Sequence, residues 1–397
     1  MSVDVIDLER ARRETPGCAH VVHLNNAGSA LPPSCVVDAV VDHLRLEARI
    51  GGYEAADAAG AQAERTYQAI AALLGCSPDE IALVENATRA WDMAFYALRF
   101  APGDRILTAR AEYASNAIAL LQVAARTGAR VEFVPDDASG QLDVDALARM
   151  LDERVKLVAV THVPSHGGLV NPAEAIGRLT RAAGVPFLLD GCQSVGQMPI
   201  DVERIGCDML SATGRKFLRG PRGTGFLYVR RGLIERLEPP FLDLHAATWT
   251  APHRFQVRAD ARRFENWEKN VAGTIGLGVA VDYALGWGLE PIAQRVVGLA
   301  GRLRAMLAEL PGVTVHDRGQ DRCGIVTFSS DQRDATAVAA ALRGLNINVS
   351  VSPVSYAVMD LGARGLPDLV RASVHYYNSD DELDRLCDAL AQGTSRP

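Results

Sequence analysis

Short apolar runs alternate along this chain with longer stretches in which apolar residues return at helical spacing. Runs at 81–84, 104–108, 131–135, 157–162 and 187–190 predict strands. The stretches 91–98, 117–127 and 144–151 between them predict helices. Such alternation predicts repeated crossover units, and so an α/β fold with a doubly wound, mostly parallel sheet and helices on both faces. Upstream, Pro32 and Pro33 open a helix over 34–49, because a first-turn proline loses no intrahelical bond. Gly51-Gly52 breaks it, Tyr53 closes the hinge, and a second helix runs over 54–74 to Gly75. Helix 275–285 carries Gly276 and Gly278, which allow close packing. From about residue 292 the pattern changes. A helix over 293–310, strands at 313–315, 324–328 and 347–350, a helix over 335–342 and an acidic helix over 380–391 read as a smaller α+β unit. The expected division is an N-terminal arm (1–20), a large domain (21–290) and a small C-terminal domain (291–397).

Composition narrows the function classes. A chain of 397 residues is too long for one typical core. Its net charge of -7, with no basic block to neutralise phosphates, argues against a nucleic-acid partner. Segment 254–263 is the most basic, but acids interrupt it, and a solvated helix or loop is expected there. No apolar run reaches the roughly 18 residues that cross a bilayer, and residues 1–13 lack the apolar centre of a signal peptide. The seven cysteines are scattered, odd in number and free of any CxxC pair. That suits reduced thiols in a cytoplasm and offers no metal framework.

The candidate chemistry gathers around Ser211-Ala-Thr-Gly-Arg-Lys216-Phe-Leu-Arg-Gly220, a lysine between small residues and a glycine-rich turn. Gly220-Pro-Arg-Gly-Thr-Gly225 lacks the order of a P-loop and leads into a strand. Upstream, Phe187-Leu-Leu-Asp190-Gly-Cys-Gln193 reads as a buried strand delivering a carboxylate. A Schiff-base lysine with a carboxylate for a pyridinium nitrogen is what pyridoxal phosphate chemistry needs. Ala87 and Thr88 stand at a helix start, where free N–H groups and the positive dipole end make a phosphate seat. Thr88, Thr161-His162-Val163 and Asp190 all fall at carboxyl ends of strands, where ligands sit in such sheets.

Together with His23-Leu-Asn-Asn-Ala-Gly-Ser-Ala30 and Arg371-Ala-Ser-Val-His-Tyr-Tyr-Asn378, these motifs follow the order and spacing of a known family. The chain resembles the class V, cysteine-desulfurase-like pyridoxal-phosphate enzymes of fold type I, over nearly its whole length. The resemblance implies a seven-stranded-type sheet and pyridoxal 5'-phosphate as cofactor. It makes Lys216 the Schiff-base and proton-moving lysine. It puts Asp190 at the ring nitrogen, Tyr113 on the ring face, His162 and Gln193 near the phenolic oxygen, and Ala87, Thr88, Thr213 and Arg215 at the phosphate. Arg371 clamps the substrate carboxylate, and the 25–30 loop, with Asn25, belongs to the substrate entrance. The family's usual homodimer is implied too. Three positions depart from the family pattern. Tyr113 and Arg215 stand where histidines are usual, and Trp267-Glu268 replaces the Gly-Thr pair that reaches a neighbouring subunit's phosphate.

A desulfurase needs a nucleophilic cysteine shortly before the last strand, and here 347–357 holds serines instead. Sulfur transfer is therefore ranked below C–S lyase chemistry, β-elimination from a cysteine conjugate or sulfoxide through a Schiff base and Cα deprotonation. The body, the cysteine-free loop and Gly51-Gly-Tyr-Glu-Ala look most like ergothioneine-type C–S lyases or isopenicillin N epimerase-like members. Transamination and epimerisation use the same machinery and stay open, as does a catalytically silent binding protein.

Overall fold

The computed structural model describes residues 6–393. Seven apolar runs form one sheet: β1 (Ile81–Val84), β2 (Arg105–Ala109), β3 (Arg130–Val134), β4 (Val155–Thr161), β5 (Phe187–Asp190), β6 (Met209–Thr213) and β7 (Gly225–Val229). Their spatial order is β1-β7-β6-β5-β4-β2-β3. β7 runs antiparallel to both neighbours, and the remaining pairings are parallel. This is the expected α/β architecture.

The sheet is covered on both faces, which is why its central strands read as unbroken apolar runs. In β4, Val158 and Val160 join one core with Leu107, Leu189 and Phe226. Leu157 and Ala159 join the other with Ile106, Leu188 and Leu227. Helix Val271–Trp287 is apolar around most of its circumference because it lies between helices Ser34–Ile50 and Gly60–Leu74. A Cβ at Gly278 would stand 2.4 Å from Thr66 Oγ1 and 3.1 Å from its Cα, so only glycine permits this approach.

A second, antiparallel sheet has the order β8-β9-β11-β10, from β8 (Val313–Val315), β9 (Ile325–Ser330), β10 (Ser350–Ser352) and β11 (Leu369–Ser373). Its core takes Leu303, Phe328, Leu342, Val370 and Leu386. Ile6, Ala11, Val22 and Leu24 belong to the same core, and Val22–His23 pairs in parallel with Ile347–Asn348. Residues 21–24, expected with the large sheet, thus pack with the C-terminal lobe. Long-range pairing, invisible in local pattern, decides that.

Other local expectations shift for identifiable reasons. The 54–74 helix is two, Gly52–Ala58 and Gly60–Leu74, parted at Ala59 before Gly60. Tyr53 lies exposed on the first of them. The 25–30 loop contains a helical turn, Asn26–Ser29. The 347–350 strand, which starts just after the left-handed Asn346 (φ 58°), splits between two sheets at Val349: Ile347–Asn348 pairs with Val22–His23 and Ser350 onward with β11. Segment 254–263 begins as a strand and ends in a short 3-10 helix, Ala261–Phe264. Arg254–Val257 pairs with Ala247–Ala251 in a hairpin, favoured by the β-prone Thr-Trp-Thr of its first strand. Arg263 then turns inward and donates to the backbone oxygens of Ile234 (2.8 Å) and Arg258 (2.7 Å).

Candidate active site

Register brings the site together. Thr161 lies opposite Asp190 and Asp190 opposite Ser211, so β4 and β5 end level and β6 runs two residues further, to Thr213 opposite Gly225. Lys216 follows β6 in a tightly pinned turn. Gly214 N–H donates to Thr224 O (2.9 Å), Gly220 N–H to Gly214 O (2.8 Å) and Arg219 N–H to Lys216 O (2.9 Å). Arg219 accepts a left-handed backbone (φ 61°) because its buried guanidinium bonds Leu31 O (2.9 Å) and Tyr376 Oη (2.6 Å).

The chain has three lysines, Lys156, Lys216 and Lys269. Only Lys216 is buried, at 6% exposure. Burial pushes its amine below the ordinary lysine range, and the nearby Arg215 and Arg371 guanidiniums add to this, while Cys192 and Asp190 oppose it. A larger free-base fraction is what a nucleophile or base requires. Asp190 is 4% exposed. Its Oδ2 accepts from Asn116 Nδ2 (2.8 Å) and its Oδ1 from Cys192 N–H (2.9 Å). Burial raises its carboxyl above the usual range, opposed by those two hydrogen bonds and by Lys216.

Both residues line one pocket at the carboxyl ends of these strands. Helix Ala87–Phe95 opens onto it. Asn86 caps this helix by accepting from Arg89 N–H (2.9 Å), which leaves the N–H groups of Ala87 and Thr88 at the pocket edge. Gly225 lets β7 run directly against this turn, since a Cβ there would come within 2.7 Å of the Asn86 carbonyl carbon. Tyr113, Gln193, Thr213 and Arg215 complete the expected lining residues. Thr213 Oγ1 donates to Thr224 O (3.1 Å), and Arg215 donates to Gly28 O. Gln193 Nε2 bonds Ala27 O (3.1 Å) and Ser165 Oγ (3.0 Å), but its Oε1 is buried without a partner.

Arg371 and Asn25 sit together behind Ser165. Arg371 Nη1 donates to Ser165 O (2.9 Å) and Nη2 to Asn25 Oδ1 (3.4 Å), while Nε is buried and unpartnered. Burial, with Arg215 adding to it, draws its guanidinium down to about 10. Among the described residues none of Arg215, Lys216 and Arg371 has a carboxylate salt bridge. A helix start, two unpaired guanidiniums, an orphaned amide oxygen and a buried carboxylate below fit a phosphorylated, ring-nitrogen-bearing aldehyde and an amino-acid carboxylate.

Three expected residues do not line the pocket: Asn25 and Arg371, which lie behind Ser165, and His162, which turns away from it. Side chains alternate at a strand end, so Thr161 and Val163 face the cavity and His162 does not. The His162 ring is buried with Nδ1 unpartnered, and burial lowers it to about 4. Ser165 takes that part of the wall. His166, adjacent, is likewise held to about 4, by burial and then by Arg371. Neither of its ring nitrogens makes a hydrogen bond of normal geometry, the Tyr356 backbone giving only a weak contact. Sequence reasoning missed Asn86, Glu112, Asn116, Ser165 and Cys192. Only the Glu112/Asn116 pair carried a signal, two polar residues four apart at a helix start.

The C-terminal lobe grips the lysine turn through His375. Its Nε2–H donates to Phe217 O (2.9 Å) and its Nδ1 accepts from Tyr376 N–H (2.9 Å), so only the neutral ring satisfies both. Burial lowers it to about 3. With the folded value below the unfolded one near 6.5, stability is present above 6.5 and is lost as pH falls through that window. From pH 7 to pH 5 this site alone should cost about 2 kcal/mol. Thermal melts of wild type and His375→Gln should show it as a steeper acid fall in wild type, and parallel falls would refute it.

Residues 22–386 match the sequence profile of the family described as aminotransferase class-V. A probable cysteine desulfurase of Xylella fastidiosa (strain 9a5c) is 32% identical over 97% of this chain and 95% of its own length. One of Methanothermobacter thermautotrophicus is 29% identical, covering 97% of each chain. The apo structure of a cysteine desulfurase from Thermococcus onnurineus NA1 superposes with a TM-score of 0.91 at 27% identity, over 99% of both chains. A cystine C–S lyase has the same fold, with a TM-score of 0.85 at 24% identity over 95% of this chain and 99% of its own. With the profile spanning the lysine turn, the carboxylate strand and both lobes, the chain belongs to the aminotransferase class-V family and is a pyridoxal-phosphate-dependent enzyme of fold type I.

Proposed function

We propose that the protein cleaves the Cβ–S bond of a cysteine-type amino acid by β-elimination. The observation that carries this reading is a proton-moving site with no thiol poised to accept sulfur. Residues 353–368, ahead of β11, contain no cysteine and present Tyr356, Val358 and Met359 to solvent. Cys192 does line the pocket, but burial raises its thiol and so keeps it protonated, and a thiol is a poor sulfur nucleophile.

When bound, pyridoxal phosphate supplies an electron sink for the pair left when a Cα bond breaks. The chain's own groups do the rest. Asp190, ionised, would hold a proton on the ring nitrogen, and Tyr113 would offer its ring for stacking. The Ala87 and Thr88 N–H groups, Thr213 and Arg215 would hold the phosphate, and Gln193 would serve the phenolic oxygen. Arg371 takes the substrate carboxylate and so orients the Cα–H bond. Lys216 receives the Cα proton. The Cβ–S bond then breaks, Cα=Cβ forms and sulfur leaves as thiolate. Water converts the released enamine to pyruvate and ammonia, with no oxidant or reductant consumed.

The relatives named cysteine desulfurase favour a second reading, sulfur transfer from cysteine. Product analysis separates the two on cysteine, its S-conjugates and their sulfoxides. Equal yields of pyruvate and ammonia support elimination, and alanine with a protein persulfide supports transfer. A dependence on added keto acid would mean transamination, and solvent deuterium at Cα without pyruvate would mean epimerisation.

Arg371→Ala should mainly raise KM, about 100-fold for the loss of one charge-assisted pair, with a smaller fall in kcat because the Cα–H bond is less well oriented. An unaltered KM would remove Arg371 from the carboxylate role. A homodimer is the assembly proposed from the family resemblance, and sedimentation as a monomer would exclude it.

A further inference from the structure

The carboxyl ends of β2, β4 and β5 are tied beneath the site by one buried side chain that the proposed chemistry does not use, Glu112. Its Oε2 accepts from Thr108 Oγ1 on β2 (3.1 Å) and from Thr161 N–H on β4 (3.0 Å). Its Oε1 accepts from Tyr113 N–H (2.8 Å), from Asn116 Nδ2 (3.0 Å) and from the Thr161 hydroxyl. Asn116 Nδ2 also donates to Asp190 Oδ2 (2.8 Å). Both amide hydrogens are therefore committed, one to each carboxylate. The flipped amide would turn its oxygen against two carboxylates, so Glu112 leaves Asn116 one orientation.

We propose that Glu112 is the positioning residue for Asp190: through Asn116 it fixes an N–H on Asp190 Oδ2 and keeps that carboxylate ionised and aimed at the cofactor ring. This rests on the assignment of Asp190 to the ring nitrogen. Glu112 does not itself line the pocket. Burial, with Asp190's charge among the lesser contributions, pushes its carboxyl up to about 7, so a purely electrostatic role would have a definite sign. A negative Glu112 would by charge alone favour protonation of Asp190, whereas the bridging amide favours its ionisation. The two roles move Asp190 in opposite directions.

The test follows the visible absorption band of the cofactor-loaded protein from pH 5 to pH 9, with the cofactor dissociation constant measured in parallel. Asn116→Ala removes the bridge and leaves the other bonds of Glu112 intact. Its acid limb should move to higher pH by about one unit, and cofactor affinity should fall roughly tenfold, as for one lost hydrogen bond to a charged group. Glu112→Ala should do the same, and the double variant no more than either. In Glu112→Gln the amide oxygen takes the Oε1 place and still holds Asn116, so the profile should stay at wild type although stability falls.

An unmoved Asn116→Ala profile, an acid shift in Glu112→Gln, or fully additive effects in the double variant would each overturn the proposal. If Glu112→Ala does not fold, the Asn116→Ala and Glu112→Gln profiles decide it. Asp190→Ala in the same titration separates the levels. A wild-type profile there removes the Asp190 assignment itself, while a changed one beside an unmoved Asn116→Ala removes only the role of Glu112.

Discussion

Lys216→Ala is expected to lower turnover at least about 10³-fold, the scale of losing a positioned proton carrier, and more if covalent attachment is also limiting. The fold should survive. Among the described residues Lys216 has no carboxylate salt bridge, and burial together with two nearby guanidiniums already disfavours its charge. Removing the amine relieves that cost, while the vacated stem leaves a small cavity. The cofactor-free variant should therefore melt within a few degrees of wild type. Steady-state rates and thermal melts check both halves. Borohydride reduction of the loaded protein and peptide mapping should label the Lys216 peptide alone, because Lys156 and Lys269 are exposed and neither lines the pocket. A label on either of those, or wild-type turnover in the variant, ends the assignment.

Asp190→Asn should cost about 10²- to 10³-fold in kcat, the range seen when a preorganised electrostatic partner is deleted. KM should change little, since Arg371 and not Asp190 holds the substrate carboxylate in the proposed arrangement. Stability should change little. The folded carboxyl is raised above its unfolded value, so its favourable contribution is full below about pH 4 and is lost as pH rises through the folded value. At neutral pH the asparagine removes that liability from the cofactor-free fold, but its NH2 meets a donor, Asn116 Nδ2 or Cys192 N–H, where a carboxylate oxygen accepted from each. A cofactor-free variant that melts within a few degrees of wild type at pH 7.5, with a crippled kcat, is the expected pair of results. Wild-type kcat would sink the role given to Asp190.

Much of this was visible in one dimension because buried parallel strands must be apolar on both faces. Such runs announce themselves, and the residues just past their carboxyl ends form the ligand edge. Asp190 and Thr88 were legible for that reason, at a strand end and a helix start; Lys216 stood out by its small-residue setting and glycine-rich turn, and Thr213 and Gln193 by the family resemblance. His162 was misplaced by one step of strand alternation, since one residue more or less decides which face a side chain takes. Asn116 and Ser165 were missed because an asparagine in a helix and a serine in a loop are ordinary locally. Their importance comes from what lies across the fold, Asp190 for one and Gln193 with Arg371 for the other.

By itself the amino-acid order determined the α/β plan, the lysine and carboxylate proposed for the chemistry, and the lack of a cysteine in residues 353–368 ahead of β11. Those depend on residue type and short-range periodicity, which a linear string records in full. Only the tertiary structure decided that residues 21–24 belong with the C-terminal lobe and that His162 turns away. It also decided that Asp190 reaches Glu112 through Asn116. Each of these is a contact between segments far apart in sequence or a choice between two faces, made by packing and hydrogen-bond satisfaction that no local pattern encodes.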